Sequence, residues 1–337
     1  MAHQTPFVSI IIPCKNEAVF IHDCVSSLLD NDYPKEFLEI LIVDGMSTDG
    51  TSDIIEQCAK RSSIVSHIKN EKKTTPTSLN CGLTHARGDV IIRADCHAWY
   101  PSNYISSLVD ALLQSGAHNV GGRLVTKPRR TTLLGKSIAA VLSHRFGVGN
   151  SPFRTISKEP REVDTVAFGC FKKEVFQKVG MYNEKLVRSQ DIEFNKRIKA
   201  AGFKIMLFPS MYCVYFCPST FFSFAKHSFI NGIWSTLPLA LTRVRFSLRH
   251  YIPCVFVLAF IVLITGSFFA SPFRVLLALF VLLYATGTFM ASASYAIKMR
   301  ELMYIFTLPL IFATLHVMYG LGSLIGLIKA PFFTTHS

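Results

Sequence analysis

Long stretches of this chain lack charge. Residues 251–270, 275–297 and 302–328 contain no Asp, Glu, Lys or Arg, and each is long enough to cross a hydrocarbon layer of roughly 30 Å. Three such runs in series leave no polar face to meet water, which excludes an ordinary soluble core as their setting; half of all residues are apolar and the mean hydropathy is +0.34. Paired cysteines are also missing. The nine cysteines are odd in number and scattered without CxxC spacing, which argues against a disulfide framework or a cysteine-held metal cluster and for reduced, buried thiols in a cytosolic domain. No GxGxxG follows the first apolar strand pattern, which argues against a dinucleotide oxidoreductase. No RNP, zinc-finger or helix-turn-helix pattern and no long basic run occurs, so nucleic acid is not an expected partner. Residues 1–6 are polar, so no signal segment is expected, and no internal repeat or low-complexity tract is visible.

Acidic residues are the scarcer charge: 35 Lys+Arg face 22 Asp+Glu, a formal +13. Residues 1–250 hold 31 against 21 and the remainder 4 against 1, which makes the amino-terminal part the basic part. Arg243, Arg245, Arg249 and His250 precede the first apolar run, and Lys298 and Arg300 fill the gap before the third. By the positive-inside rule the amino-terminal domain and that second gap are cytoplasmic, with the carboxyl end across the membrane. A basic domain tied to a bilayer implies attraction to anionic headgroups and to diphosphate-bearing substrates.

Residues 8–12 and 40–43 are short β-branched runs, each followed by a helical pattern, at 19–29 and 51–60; a helix at 77–86 and a buried strand at 90–94 come next. That alternation predicts parallel strands with crossover helices, an α/β nucleotide-binding half. A helix at 104–113, a strand near 119–124, a helical stretch at 131–145, a long loop at 147–162, a strand at 163–168, helices at 174–180 and 189–201 and a strand at 203–208 follow. In residues 218–250 Phe221, Phe222, Phe224, Phe229, Ile233 and Trp234 interleave with Lys226, His227 and arginines; this suits either a membrane-surface helix or a packed connector.

In open α/β sheets ligands bind beyond the carboxyl ends of strands, and three signals stand at such ends: PCKNE at 13–17, Asp44 in VDGMSTDGT, and Asp95 in RADCH. A carboxylate there can accept from a nucleobase N–H or a ribose hydroxyl, although Ser47, Thr48 and Asp49 also fit as helix caps. Asp95 and His97, one residue apart, can face a shared point, and an oxygen with an imidazole nitrogen suits Mn²⁺ and tolerates Mg²⁺. Asp191 stands in the first turn of a helix that Ser189 is placed to cap and Gly202 to stop. The macrodipole favours its ionised form there, as a general base requires. Glu193, two positions on, faces elsewhere on the helix.

With SIIIPCKNE, VDGMSTDGT, LNCGLTHARGDVIIRADCHAWYP, FGVGNSPFR, VDTVAFGCFKKEVFQKVG and SQDIEFNKRIKAAG spread over residues 7–250, the chain resembles family 2 glycosyltransferases of the GT-A fold, and within them the succinoglycan-biosynthesis ExoA-like group. The resemblance implies a Rossmann-like α/β GT-A domain over residues 1–217, an amphipathic connector at 218–250, and a C-terminal α-helical membrane domain of three transmembrane helices within 251–330. It implies inverting transfer of a hexose from a nucleotide-diphosphate sugar, UDP-linked by expectation, to a lipid-linked saccharide of the polyprenyl diphosphate type, at the cytoplasmic face of the inner membrane. Carried over by position, Pro13, Asn16, Glu17, Asp44, Ser47, Arg87 and Asp95 would contact the nucleotide, Asp95 and His97 would hold the metal, and Asp191 would be the base. Phe168, Gly169, Gln190, Glu193, His227 and Trp234 would stand on the sugar and acceptor side. The Gln-x-x-Arg-Trp motif of processive synthases is absent, so addition of one sugar is expected. A polyprenyl-phosphate glycosyltransferase and a non-catalytic nucleotide-sugar-binding membrane scaffold are the alternatives.

Overall fold

A computed structural model describes residues 5–155, 159–242 and 247–334. The chain divides into two compact units, Met1–Val125 with Ile156–Tyr215, and Thr126–Thr155 with Phe216–Ser337. Residues 126–155, expected inside the first domain, therefore belong to the helical second unit.

The first unit starts as the sequence predicts, with one added strand at 65–69 that no continuous apolar run marks. β1 (Val8–Cys14), α1 (Ile21–Leu29), β2 (Leu38–Asp44), α2 (Thr51–Arg61), β3 (Val65–Lys69), α3 (Thr75–His85) and β4 (Val90–Arg93) alternate, and the strands lie parallel in the order β3-β2-β1-β4. Ile10, Ile12, Ile40, Ile42 and Ile92 have no exposed surface, as strands covered on both faces require. Beyond β4 the sheet becomes mixed. β5 (Ala98–Trp99), α4 (Tyr104–Gln114) and β6 (Asn119–Pro128) come next, then α5 (Leu133–Val141) and α6 (Arg145–Val148), both of the second unit. β7 (Arg161–Glu162), β8 (Cys170–Lys172), α7 (Lys173–Val179), α8 (Gln190–Ala200) and β9 (Ile205–Cys217) complete the order β3-β2-β1-β4-β8-β6-β9-β5, with β7 on β9. β8 runs antiparallel to β4 and to β6. The strand expected at 163–168 is irregular instead: Val163 donates to Ile205 O at 3.0 Å, and Phe168 then takes φ 51°, which no strand accommodates.

The second unit adds α9 (Phe221–Thr242), α10 (Ile252–Ser267), α11 (Ser271–Met299) and α12 (Tyr304–Thr334) to α5 and α6. Among the described residues two helices, α11 and α12, are long and apolar enough to cross a membrane. A soluble-core role fails for α11, because Leu279, Leu282 and Leu283 are all more than half exposed. α10 is apolar, but its 16 residues span only about 24 Å. α9 packs along α12 through small residues. A Cβ on Gly232 would come within 2.0 Å of Tyr319 O, and one on Gly322 within 2.0 Å of Phe229 O; Ser235 and Ser323 hydroxyls meet at 3.0 Å and Thr236 donates to Ser323 O at 2.8 Å. This is the packing by which apolar helices associate without a hydrophobic drive, so most of residues 218–250 forms a packed connector. Arg243 and Arg245 lie outside the described residues. α5 and α6 join the unit by polar contacts, Ser137 to Thr307 at 2.8 Å and His316 Nε2 to Phe146 O at 3.0 Å.

Candidate active site

Parallel register sets Cys14 opposite Asp44 and Ile11 opposite Arg93, so β1, β2 and β4 empty their following loops along one edge. The loops after β1 and β2 are stitched together. Asn16 N donates to Ser47 Oγ (2.9 Å), Thr48 N to Asn16 Oδ1 (2.9 Å), Glu17 N to Thr51 Oγ1 (2.9 Å) and Ala18 N to Asp49 Oδ2 (3.2 Å). Asp44, almost wholly buried, anchors this arrangement: Oδ1 accepts from Ser47 N at 3.0 Å and Ser47 Oγ at 2.6 Å, and Oδ2 accepts from Ser52 Oγ. Its carboxylate is thus spent on holding the loop. Of the six non-glycine residues with positive φ among the described residues, Asn16, Met46, Phe168 and Ser189 lie in the loops around this edge. Such conformations cost about 1 kcal/mol or more each and concentrate at functional sites.

After β4 the chain turns sharply. Tyr100 OH accepts from Asp95 N (2.8 Å) and donates to Asp95 O (3.2 Å), fixing the turn that carries Asp95 and His97. His97 Nδ1 lies 3.3 Å from Glu17 Oε1 but without an aligned hydrogen bond, and the ring meets Tyr215 edge-on at 5.2 Å. Burial works against charge on this imidazole, yet Cys96, Glu17 and Asp95 outweigh it and push its pKa up to about 10. Glu17, Cys96 and His97 offer ligand atoms within 4.8 Å of one another. The Cys96 thiol donates instead to Pro13 O at 3.5 Å, and a hard divalent ion of the kind that meets diphosphate oxygens takes oxygen and nitrogen donors in preference to sulfur. Nitrogen and oxygen donors remain: the unaligned Nδ1 of His97, the Glu17 carboxylate, and Asp95, of which only Oδ1 is engaged. That set fits a divalent Mn²⁺ or Mg²⁺, once the imidazole proton is displaced.

Asp95 is tied to Asp191 by a residue that the sequence reading passed over. Arg93, at the end of β4 and 6% exposed, places Nη2 at 3.1 Å from Asp95 Oδ1 and pairs through Nη1 with Asp191 Oδ1. Its guanidinium stands 5.7 Å from the centroid of Phe168, and its backbone N donates to Gly169 O at 3.0 Å. Burial disfavours its charge, but Asp191 and Asp95 more than offset that and hold it above the usual range. An arginine closing an otherwise apolar strand, VIIR, was the available signal, since a buried cation needs paired anions. Burial also holds Asp191 above the ordinary carboxyl range, with Arg93 pulling the other way. Tyr182, buried beside this pair, is locked to α3 through Asn80, whose Oδ1 accepts from Tyr182 N and whose Nδ2 donates to Tyr182 O, both at 2.9 Å.

Several expectations need correction. Arg87 is not at the nucleotide edge: with Gly88 it precedes β4, and it binds Glu39 through its backbone N (2.8 Å) and Nε (2.9 Å) while Gly88 N donates to Ser9 Oγ (2.8 Å). Ser9 and Glu39 start β1 and β2, so this cluster occupies the opposite, amino-terminal edge. Glu193 does not face a sugar, because Arg197 binds it at 2.7 and 3.0 Å as an i,i+4 pair. Ser189 stands at the cap position of α8 in the left-handed region, and its side chain does not cap the helix. Gln190 is buried in the first turn of α8. His227 and Trp234 lie two turns apart on α9, in the second unit. The charge also divides differently from expectation: the first unit holds 21 Lys+Arg against 21 Asp+Glu and the second 14 against 1, so the helical unit is the basic one.

A GT-A-like mixed sheet, whose parallel half gathers carboxylates, an imidazole and a guanidinium at one edge, defines a glycosyltransferase. The chain belongs to glycosyl transferase family 2, which matches residues 9–180. It is 27% identical over 332 residues to the dolichyl N-acetyl-alpha-D-glucosaminyl phosphate 3-beta-D-2,3-diacetamido-2,3-dideoxy-beta-D-glucuronosyltransferase of Methanococcus voltae, covering 96% of this chain and 98% of that one. It is 28% identical over 254 residues to the succinoglycan biosynthesis protein ExoA of Rhizobium meliloti, covering 70% and 76%. Among solved structures, the mannosyltransferase PcManGT from Pyrobaculum calidifontis in complex with GDP-Man and Mn²⁺ shares the fold, with a TM-score of 0.66 at 18% identity over 98% of this chain and 88% of that one.

Proposed function

We propose that this glycosyltransferase moves one hexose from a nucleotide-diphosphate sugar, with UDP as carrier, to a hydroxyl of a lipid-linked saccharide, inverting the anomeric centre. One observation carries the reading: Asp191 and Asp95, distant in sequence, share the Arg93 guanidinium, which sets a base candidate beside the metal-side carboxylate. The Methanococcus relative, named for a dolichyl phosphate sugar, supports a lipid-linked acceptor. Asp191 takes the proton from the acceptor hydroxyl, the oxygen attacks the anomeric carbon, and the nucleoside diphosphate departs from the opposite face; a single displacement inverts. Arg93 holds Asp191 on line. The loop built on Asp44, with Pro13, Asn16, Glu17 and Ser47, receives the nucleoside, and Phe168 and Gly169 border the sugar. Asp95 and His97, with Glu17 beside them, would hold a divalent cation, which when bound offsets charge on the leaving diphosphate.

Catalysis belongs to the first unit and membrane attachment to the second, at a cytoplasmic membrane face. Lys298 and Arg300 support a cytoplasmic position for the gap between α11 and α12. With the catalytic unit on that side too, α10 must also cross, its 16 helical residues lengthened by the exposed Phe268 and Phe269. The test is transfer by the purified full chain from a panel of labelled nucleotide sugars to membrane lipid extract. Metal-dependent transfer that Asp191→Asn abolishes supports the reading. Activity on undecaprenyl phosphate alone, surviving that substitution, would overturn it in favour of a phosphate acceptor.

A further inference from the structure

The second unit's one acid among fourteen cations is Glu301. It lines a cavity of about 400 Å³ with Lys136 of α5, Ser143, Tyr295 and Met299 of α11 and Tyr304 of α12, a size within the roughly 300–1,000 Å³ of small-ligand sites. Lys136 and Glu301 both face this space, yet among the described residues no ion pair joins them and neither tyrosine hydroxyl has a hydrogen-bond partner; Glu301 Oε1 takes only a long contact, 3.4 Å, from Met303 N. The two tyrosine rings meet edge to face at 5.2 Å. Leu302 and Phe306, each more than 70% exposed, flank Glu301 and Tyr304 in sequence, where the two candidate membrane helices meet.

A cavity with a cation and an anion held apart matches a ligand that carries both charges, separated by a few bonds. Aromatic faces favour an ammonium, hydroxyls and a lysine favour a phosphate, and the exposed apolar side chains alongside favour acyl chains. We infer that this cavity seats the headgroup of a zwitterionic phospholipid, its phosphate on Lys136 and the tyrosine hydroxyls and its primary ammonium on Glu301. A purely anionic headgroup would leave Glu301 facing like charge with nothing to neutralise it. The other thirteen cations provide a general pull toward acidic lipid, whereas this cavity selects one headgroup and fixes the depth of the α11–α12 turn. The inference does not rest on sugar transfer, and its test uses no donor.

The full chain, reconstituted in nanodiscs of equal parts phosphatidylethanolamine and phosphatidylglycerol and then released, is read by native mass spectrometry for retained lipid. Wild type should retain phosphatidylethanolamine over phosphatidylglycerol by about tenfold, the scale of one charge-assisted hydrogen bond. Glu301→Gln should bring the two to parity and Glu301→Asp should keep the preference, while Lys136→Gln should reduce retention of both. Parity or a phosphatidylglycerol preference in wild type overturns the inference, as does a preference that survives Glu301→Gln. If Glu301→Gln fails to fold, Lys136→Gln decides, and unchanged retention of both lipids overturns it.

Discussion

Replacing Arg93 with Met keeps the side chain's length and removes the charge that two carboxylates share. The Arg93 side chain is 7% exposed, against 16% for Asp95 and 31% for Asp191. Removing one partner of a buried ion pair costs roughly 3–5 kcal/mol, because the anions left behind stay desolvated. Asp191 still reaches water, which screens part of that penalty, so the low end, about 3 kcal/mol, is expected. At roughly 2–4 °C per kcal/mol for a domain of this size, the melting temperature should fall by about 6–12 °C. Catalysis should suffer separately. With Asp191 untethered, a displacement of about 1 Å is enough to cost roughly 10²-fold in kcat, while the donor KM moves less, since the loops around Asn16 and Ser47 do not depend on Arg93. Arg93→Lys restores charge without a planar fork able to reach two carboxylates, so it should recover most of the melting temperature and little of kcat. Scanning fluorimetry and initial rates of labelled-sugar transfer measure both effects. Wild-type melting and wild-type kcat in Arg93→Met would refute the bridge as a working part of the site.

Asp191→Asn should lower kcat by roughly 10² to 10⁴ and leave calorimetric nucleotide binding intact; near-normal turnover would remove Asp191 from the role of base. Because burial raises the Asp191 pKa, the base is lost to protonation at a higher pH than an ordinary aspartate would be, so kcat should fall as pH drops through that range, and the residual activity of the Asn variant should lack this acid limb. His97→Ala should weaken Mn²⁺-dependent nucleotide binding in calorimetry, and an unchanged metal titration would exclude it as a ligand. Arg87→Ala, on the far edge of the sheet, should leave the donor KM unchanged but lower stability by roughly 1–3 kcal/mol, because the Glu39 side chain, 7% exposed, loses the donor to its Oε2. Gly322→Leu should disrupt the second unit, since its first side-chain carbon meets Phe229 backbone; a monodisperse variant with wild-type melting would contradict the α9–α12 packing.

In the parallel half β1, β2 and β4 were legible because each is a β-branched run that stops at polar or charged residues, and the same feature marked Asp44 and Asp95; β3, VSHIK, has no such run and was not expected. Proximity along the chain misled at Arg87: it stands close to Asp95 in sequence, but β4 runs between them, and its four residues separate the two edges by about 13 Å. The antiparallel half was less legible. β8 is three residues long and follows a left-handed Phe168, so no periodicity announces it, yet it returns the chain beside β4. The meeting of Asp191 with Asp95 depends on this long-range geometry, and only Arg93, a charge inside an apolar strand, carried a local hint of it. Glu193 shows the opposite failure. A carboxylate next to a candidate base invites a functional role, but Arg197 one turn later already marked it as half of an ion pair.

Charge sets a final constraint on the proposed chemistry. The first unit is formally neutral, so it offers no general attraction for a nucleoside diphosphate. Around the edge stand the carboxylates of Glu17, Asp95 and Asp191, with Arg93 and His97 as the cations paired to them. If His97 gives up its proton to serve as a ligand, three formal negative charges face one positive, and a diphosphate approaching that cluster meets net repulsion. A divalent cation would cancel this excess: its two charges together with the guanidinium offset the three carboxylates, and the repulsion is removed. On this reading metal loading has to precede or accompany donor binding, and the order is measurable. Nucleotide titrated into metal-free protein should give no detectable heat, whereas Mn²⁺ titrated into nucleotide-free protein should bind. Equal nucleotide affinity with and without the ion would show that the carboxylates do not govern the site.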